Sequence, residues 1–249
     1  LKPLGKLRGL ARTILFEDPE FIMVNEVGGL ESLDNFNRLF LENRYIQYLI
    51  EGNSNRGIDI GYLVHKQLGY KYLLLTHKNR PLNFIYPHEE DLNKYHEKNN
   101  QSERKIKTHY FSRDISELRV YQGEDQNPKL IIMLVHLKSK LDEDGIDPEG
   151  KQRRKAELNT LVDVYNERRK EFPKVPVMVV GDFNGWARRT GTDPEFAQLY
   201  KATDLLDTLE VAGVPHDQRC TQLQILRAGG QIKLQIDYMF LSPELHDLV

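Results

Sequence analysis

The pattern of hydrophobic and polar positions divides the first half of the chain into short elements. Residues 4–16 carry apolar side chains at helical spacing, and the apolar run 21–24 is typical of a buried strand that ends at Asn25 and Glu26. Ser32 is a candidate N-cap for a second helix. The apolar face of that helix consists of Leu33, Phe36, Leu39 and Phe40. Further strands are predicted at residues 45–51, 58–64, 70–76, 106–112, 116–121 and 129–137.

The second half contains two polar segments and a long helix. Residues 87–105 are almost wholly polar, and residues 140–150 are acidic with Gly and Pro, so both are predicted to be loops. Residues 151–171 predict an amphipathic helix whose Lys and Arg side chains face water. The remaining predictions are a strand at 175–180, helices near 195–201 and 204–212, and strands at 221–226 and 232–241. This order favours two packed, mostly antiparallel β-sheets flanked by helices over a regular βαβ alternation.

Composition narrows the class of protein. With 249 residues, 39% of them hydrophobic, the chain can bury a core, and residues 1–249 are expected to form one domain. The formal net charge of −2 gives no support for nucleic-acid binding, although basic residues can still gather on one face. The single cysteine, Cys220, cannot form an internal disulfide. No apolar run approaches the ~18 residues that span a bilayer and no signal-peptide pattern is visible, so a cytoplasmic location is expected.

The strongest local signal for chemistry is Gly181-Asp182-Phe183-Asn184, which follows the apolar run 175–180. If the segment stays extended, Asp182 and Asn184 point in the same direction. A carboxylate there can orient a metal ion or an attacking water, and the amide can hold a phosphate oxygen. The same four residues fit an ordinary Gly-Asp-x-Asn turn equally well.

Three other acidic residues stand at informative positions. Glu26 alone reads as a solvated residue at a strand end, but close to Asp182 it would suit Mg²⁺, which prefers carboxylate oxygens. Asp237 lies in the otherwise apolar run 236–241, where a carboxylate is costly unless it is paired or ligated. Asp59 stands in a similar run as a weaker candidate for a supporting role, because its flanking glycines can leave it exposed.

Basic residues supply candidate phosphate contacts. His136 follows the apolar run 130–135 and is, taken alone, a packed, hydrogen-bonded histidine. Together with Lys138 it could bind or protonate a phosphate oxygen. Arg113 is either another phosphate-binding side chain or half of a surface pair with Asp114. The histidines and Cys220 form no zinc-binding pattern, and no nucleophilic-serine or phosphate-loop motif occurs in the sequence.

The candidate residues also share an order along the chain. The motifs are Glu26, Val135-His136-Leu137, Gly181-Asp182-Phe183-Asn184 and Ile236-Asp237-Tyr238. Together they resemble the endonuclease/exonuclease/phosphatase superfamily, which includes deoxyribonuclease-I-like nucleases and several phosphatases. The resemblance covers about residues 20–243. It implies a four-layer α/β sandwich and in-line attack of water on phosphorus, assisted by a metal.

The resemblance implies a role for each matching residue. Glu26 corresponds to the principal ligand of Mg²⁺, or of Mn²⁺ in its place. Asp182 corresponds to the residue that orients or deprotonates water, and Asn184 to its phosphate-holding companion. His136 falls where some members have a phosphate-contacting or proton-donating histidine. Asp237 corresponds to a carboxylate that supports a catalytic histidine.

Two parts of the family pattern have no counterpart in this sequence, namely a first strand carrying an Asn and a final Ser-Asp-His element. We therefore expect a domain truncated at both ends, without its first and last strands. The leading hypothesis is a Mg²⁺-dependent phosphodiester hydrolase of nuclease type with nucleic acid as its partner. The alternatives are a phosphatase or phosphodiesterase acting on a small-molecule or lipid phosphoester, and a non-catalytic binding module. No feature indicates a protein partner.

Overall fold

The computed structural model describes residues 3–99, 107–142, 144–226 and 229–249. Within these ranges the α-helices are α1 (Leu4–Glu17), α2 (Gly29–Phe40), α3 (Pro87–Lys98), α4 (Lys151–Glu171), α5 (Ala197–Ala202) and α6 (Thr208–Val211). The strands are β1 (Phe21–Val27), β2 (Tyr45–Leu49), β3 (Asp59–His65), β4 (Lys71–Thr76), β5 (Ile115–Tyr121), β6 (Leu130–His136), β7 (Val177–Asp182), β8 (Leu206–Asp207), β9 (Gln222–Ile225), β10 (Gln231–Leu234) and β11 (Asp237–Leu241). None of the described helices is long and apolar enough to cross a membrane.

The strands form a large sheet, a small sheet and a separate ribbon. The large sheet has the order β4-β5-β6-β7-β11-β8, the small sheet the order β1-β3-β2, and β9 pairs with β10. Neighbouring strands are antiparallel except β6 and β7, which are parallel. A parallel pair needs a crossover connection, which α4 provides. The carboxyl ends of β6 and β7 therefore reach the same edge of the sheet, which brings His136 next to Asp182.

Four layers pack on one another. The inner faces of the two sheets meet in an apolar cluster that includes Ile60 and Val64 from the small sheet and Leu118 and Ile132 from the large one. Residues of α1 and α2 cover the outer face of the small sheet, and residues of α4 and α5 cover that of the large sheet. The predicted four-layer α/β sandwich with mostly antiparallel sheets is confirmed.

The side chain of Tyr62 ties the two sheets together. It is fully buried, and its hydroxyl donates to the backbone oxygen of Ser116 at 2.7 Å and accepts the backbone N–H of Leu134 at 3.1 Å. Ser116 and Leu134 are opposed residues of β5 and β6, so a side chain of the small sheet completes the hydrogen bonding of the large one. Burial raises the pKa of Tyr62 far above its usual value, and the hydroxyl stays protonated.

The polar segment 87–105, predicted to be a loop, contains helix α3 instead. Pro87 occupies its first turn, and the Glu89 carboxylate accepts the N–H of Tyr86 at 2.9 Å. An ion pair between residues one turn apart supports its exposed face. Local capping therefore forms a helix where the hydrophobic pattern is too weak to predict one. Residues 100–105 lie outside the described residues.

Four further element predictions are wrong. The helix predicted near 204–212 contains strand β8 and is helical only at α6. The strand predicted at 106–112, of which residue 106 is not described, is irregular apart from a bridge between Leu82 and His109. Helix α2 begins before Ser32, whose hydroxyl donates to the backbone oxygen of Gly28 at 2.8 Å, so Ser32 is not the cap. The last predicted strand is divided into β10 and β11.

Candidate active site

The candidate site lies where the ends of β6 and β7 and the start of β11 stand side by side. His136 is in register with Asp182 across the parallel pair, and Asp237 is in register with Asp182 across the antiparallel pair. The sheet therefore holds these titratable residues in one row across neighbouring strands. His136 Nε2 lies 3.8 Å from Asp182 Oδ2.

A tight backbone shape at the end of β7 fixes the position of Asp182. Gly181 has a φ of +141°, and a Cβ atom there would lie 2.0 Å from the backbone oxygen of Val135, so a side chain does not fit. Asn184 has a φ of 55°; its N–H donates to Asp182 Oδ1 at 2.7 Å, and its Nδ2 donates to the backbone oxygen of Leu137 at 3.0 Å. The backbone at residues 181–184 does form the Gly-Asp-x-Asn turn that the sequence also predicted. It engages Oδ1 of Asp182 and leaves Oδ2 beside the neighbouring strand.

The pKa of Asp182 lies close to neutral pH. Burial is the main cause that raises the pKa of Asp182 from 3.8 to about 7. The charges of Asp237 and Glu26 also raise this pKa, while the N–H of Asn184 and the charge of Arg113 lower it. Glu26 and Arg113, which are remote in sequence, therefore lie within electrostatic range of Asp182. A carboxyl group with such a pKa can accept or donate a proton at physiological pH.

An irregularity in β1 presents Glu26 at this edge. The register of β1 shifts between Val24 and Val27, and Glu26 has a φ of 60°. Its carboxylate is exposed and has no hydrogen bond or ion pair to a described residue. The Oδ1 atom of neighbouring Asn25 is buried, and it too has no hydrogen-bond partner among the described residues. Two residues that are adjacent in sequence therefore each have a side-chain oxygen without a hydrogen-bond partner among the described residues.

These oxygen atoms suit magnesium rather than zinc. Across residues 3–99, 107–142, 144–226 and 229–249, no group of three or more His, Cys, Asp or Glu side chains is arranged to hold a metal ion. Mg²⁺ does not need such a cage, because one or two carboxylates with waters and substrate oxygens complete its coordination shell. Glu26, an exposed carboxylate whose charge acts on Asp182, is a donor of that kind.

His136 is neutral at physiological pH. Burial lowers the pKa of His136 to about 4, and the charges of Arg113 and Arg56 lower it further. Its Nδ1 atom is buried without a hydrogen-bond partner in the described part of the chain. That nitrogen distinguishes His136 from a packed histidine whose hydrogen bonds are complete. A neutral imidazole can donate an N–H to a phosphate oxygen but is not a strong acid.

Two of the predicted cations lie at the same edge. Arg113 is buried, and one guanidinium nitrogen donates to the backbone oxygen of Leu137 at 3.4 Å. Burial lowers the pKa of Arg113, and burial followed by the charge of Arg113 lowers the pKa of Lys138. Asp114 does not form the alternative surface pair with Arg113, since it is buried and accepts the Thr76 hydroxyl at 2.6 Å.

The loop before β3 adds a cation that the sequence analysis missed. The charge of Arg56 contributes to the lowered pKa of both Arg113 and His136, so it lies within their electrostatic range. Asp59 supports this loop, because its buried carboxylate accepts the N–H of Gly52 at 2.8 Å. The expectation that flanking glycines leave Asp59 exposed is therefore wrong.

A buried carboxylate on α4 also escaped the sequence analysis. Glu157 is fully buried and accepts the backbone N–H groups of Ser112 at 2.7 Å and Lys138 at 2.6 Å. It thereby fixes the spacing of the two segments that carry the predicted cations. Arg154 on the same helix is also fully buried and pairs with Glu195 at 2.6 Å, so the expectation that the cations of this helix face water is wrong here. Both charges fall on the apolar stripe of the helix, which is the sequence signal that could have revealed them.

Asp237 stands at the rim of the site rather than inside an apolar strand. It is the first residue of β11, its side chain is exposed, and its N–H donates to Thr221 Oγ1 at 3.1 Å. Partial desolvation raises the pKa of Asp237, and the Thr221 hydroxyl lowers it. The expectation that Asp237 is a buried carboxylate is therefore wrong. Its role beside a catalytic histidine stays a prediction.

Comparison with solved structures identifies the fold. TDP2 from Caenorhabditis elegans matches over 96% of this chain and 59% of its own, at 17% identity and a TM-score of 0.59. TDP2 from D. rerio, complexed with single-strand DNA product, matches over 97% of this chain and 78% of its own, at 18% identity and a TM-score of 0.59. A mannosyl-6-phosphatase from Bacteroides thetaiotaomicron matches over 96% of this chain and 77% of its own, at 12% identity and a TM-score of 0.57. No protein-family model and no curated protein matches the sequence.

The chain has the fold of the deoxyribonuclease-I-like endonuclease/exonuclease/phosphatase superfamily, as its motifs predicted. It spans 58% and 59% of two C. elegans TDP2 chains. At identities of 12% to 18% this likeness establishes the fold, and the activity has to be argued from the site.

Proposed function

We propose that the chain belongs to a Mg²⁺-dependent phosphodiester hydrolase of nuclease type, with Mn²⁺ able to replace Mg²⁺. The observation that carries the proposal is the row of His136, Asp182 and Asp237 across adjacent strands, with Glu26 and Arg113 in electrostatic range. A carboxyl group of near-neutral pKa among these groups is suited to activate a water beside a phosphate.

The acidic half of the site prepares the nucleophile. Asp182 Oδ2 accepts the proton of the attacking water, while the hydrogen bond from the N–H of Asn184 holds Oδ1 in place. The negative charge of Asp237 helps to raise the pKa of Asp182 and so makes it a stronger base. Glu26 would hold the metal, which would supply positive charge to stabilise the negative charge that develops on the phosphate.

The other half of the site receives the negative charge that develops on the phosphate. The guanidinium group of Arg113 and the ammonium group of Lys138 donate charge-assisted hydrogen bonds to phosphate oxygens. The Nδ2 of Asn184 adds a neutral donor, and neutral His136 donates an N–H. Binding of these donors to the phosphate holds it in line with the water that Asp182 activates. As the water oxygen bonds to phosphorus, the P–O bond to the leaving group breaks, and the leaving oxygen takes a proton from solvent.

Two observations bear on the substrate. The D. rerio structure of the same fold holds single-strand DNA product, which favours nucleic acid. The net charge of −2 and the similar fold of a mannosyl-6-phosphatase favour a small phosphoester as the second candidate. A binding module without catalysis is the remaining alternative, and it predicts phosphate binding without turnover.

The proposal is tested with Asp182→Asn, assayed on bis(p-nitrophenyl) phosphate, DNA and RNA with Mg²⁺. We expect a loss of about 10²- to 10⁴-fold in kcat, because the asparagine cannot accept the proton of the water. Asp125→Asn is the matched control, since it removes an exposed carboxylate in the turn before β6, at the opposite end of the strand from the site. Full activity of Asp182→Asn would contradict the assigned role, and a wild-type protein without turnover on any ester would favour the binding module.

A further inference from the structure

A cleft of about 610 Å³ opens beside the candidate active site. Its walls come from the loop before β3, the segment 107–113 and the loop between β6 and α4. Arg113 and Lys138 line this cleft and also belong to the proposed phosphate site. A substrate bound at Asp182 can therefore extend into the cleft without leaving the protein surface.

Positive side chains are concentrated in the wall of the cleft. They are Arg56, Lys107, Arg113, Lys138 and Arg153. After burial, the charges of Arg113 and Arg153 contribute to the lowered pKa of Lys138, and that of Arg56 to the lowered pKa of Arg113. These cations repel one another, and the carboxylate of Glu157 offsets part of that repulsion. An anion placed among them is stabilised by several positive charges at once.

Most carboxylates of the wall are already engaged in the protein's own hydrogen bonds. Asp147 is buried and accepts two backbone N–H groups of α4, each at 2.9 Å. Asp142 accepts two N–H groups of its own loop, at 3.1 and 3.2 Å. Glu89 accepts a backbone N–H at the start of α3, at 2.9 Å. Asp144 is the remaining carboxylate of the wall, so five cations face four carboxylates, three of which are held in place by backbone N–H groups.

Aromatic rings form another part of the wall. Tyr86 and His88 both line the cleft, and their rings stack with centroids 5.5 Å apart and an interplanar angle of 22°. Tyr110 also lines the cleft and is 40% exposed. Aromatic side chains beside a positive groove are the usual means of holding single-stranded nucleic acid, because every base can stack on them.

We propose that this cleft binds a second phosphate group of the substrate, one nucleotide away from the phosphate that is hydrolysed. The inference rests on the proposed function and adds the substrate class, a polynucleotide strand rather than an isolated phosphoester. Lys107 and Arg153 contact the second phosphate, and Tyr86 and His88 contact the nucleoside between the two phosphates.

The experiment compares substrates that differ by one phosphate. The probes are the thymidine dinucleotide TpT, the trinucleotide TpTpT, and a TpTpT analogue without bases. Each is assayed with the wild type, with Lys107→Gln and with the double variant Lys107→Gln/Arg153→Gln. Lys129→Gln is the charge-matched control, because Lys129 is exposed at the opposite end of β6 from His136.

We expect the wild type to show a kcat/KM about tenfold higher for TpTpT than for TpT, since a second phosphate gains charge-assisted contacts. The double variant should lose most of this preference, Lys107→Gln part of it, and Lys129→Gln none. An undiminished preference in both cleft variants overturns the proposal. A preference that persists on the analogue without bases points to a small bisphosphate instead of a nucleotide chain and overturns the assigned role of Tyr86 and His88.

The experiment gives different results if the cleft proposal is wrong and if the proposed function is wrong. Hydrolysis of TpT and TpTpT at equal rates per bond refutes the cleft and leaves the hydrolase proposal intact. Absence of all hydrolysis refutes the proposed function, and the cleft is then judged by the Kd of TpTpT in EDTA. A Kd that is the same for the wild type and the double variant overturns the cleft proposal in that case. Because Lys107 is exposed, Lys107→Gln keeps the test valid if Arg153→Gln impairs folding.

Discussion

Several groups of the site shift the pKa of Asp182. Burial and two neighbouring carboxylates favour its protonated form, while Arg113 and the N–H of Asn184 favour the ionised form. Because burial raises its pKa from 3.8 to about 7, its contribution to stability is present below pH ~4 and is lost as the pH rises through about 7. A cation bound near Glu26 reverses part of this effect, since positive charge favours the ionised carboxylate.

Replacing Glu26 by Gln should lower the pKa of Asp182 in protein free of divalent metal. The physical reason is that the change removes a negative charge that opposes ionisation of Asp182. The measurement is a ¹³C NMR titration of the Asp182 side-chain carboxyl. Glu31→Gln, an exposed substitution in the first turn of α2, is the control and should leave this pKa unchanged. An identical titration in Glu26→Gln would show that Glu26 does not act on the site.

Part of the site could be predicted residue by residue from the sequence. Asp182, His136 and Glu26 each follow an apolar run, and ends of strands are places where a sheet can gather polar side chains. Arg56 could not be found in this way, because it lies in a loop whose position depends on a hydrogen bond between Gly52 and Asp59. The charge of Arg56 acts on the site only after this loop has folded against the large sheet.

At the scale of elements, helix α4 does more than connect β6 to β7. Its buried Glu157 binds the backbone at Ser112 and at Lys138, and its buried Arg154 pairs with Glu195. The hydrophobic pattern predicted the helix and its bounds correctly. The same pattern places both charges on the apolar stripe of the helix, but it could not identify their compensating partners, which come from distant segments of the chain.

Replacing Glu157 by Gln should raise KM by about tenfold with little change in kcat, because one of two backbone N–H groups loses its acceptor and the cations beside them shift. The measurement is steady-state kinetics on bis(p-nitrophenyl) phosphate, corrected for the folded fraction. Asp207→Asn is the control, a buried carboxylate on the edge strand β8 that accepts the backbone N–H of Leu209 and the side-chain amide of Gln235. Equal KM values in the two variants would mean that Glu157 serves stability alone.

Helix α3 shows why some elements could not be predicted. Its sequence is polar, and its stability derives from Pro87 in the first turn, the Glu89 carboxylate at the helix start and contacts to His109. His109 in turn belongs to the segment predicted as a strand, whose described residues 107–112 form a single bridge, to Leu82. Helix and segment stabilise each other through side chains, and a hydrophobic pattern contains no information about that.

At the scale of the whole molecule, the fold depends on the contact between a small and a large sheet. Apolar residues supply most of this contact, and Tyr62 supplies its specificity through hydrogen bonds to Ser116 and Leu134. The sequence predicted the two sheets and their flanking helices, because periodicity reports which faces are apolar. It did not predict that one sheet would complete the hydrogen bonds of the other.

Tyr62→Phe should lower the free energy of unfolding by about 1–3 kcal/mol, because it leaves two buried backbone groups without their partner. Chemical denaturation followed by circular dichroism measures this change. Tyr70→Phe removes a hydroxyl from a tyrosine that is 40% exposed and serves as the control, with an expected change near zero. Indistinguishable denaturation midpoints for the two variants would refute the role of Tyr62.

The row of His136, Asp182 and Asp237 also has a consequence for the order of folding. Strands β5 and β6 are joined by a short turn, whereas β7 joins β6 only after α4 has crossed over, and β11 joins β7 after a further long excursion. A shift of one residue in either late pairing would turn Asp182 or Asp237 to the other face of the sheet. The row is therefore complete only when both of these long-range pairings have formed in the correct register, so recovery of the site during refolding reports that register.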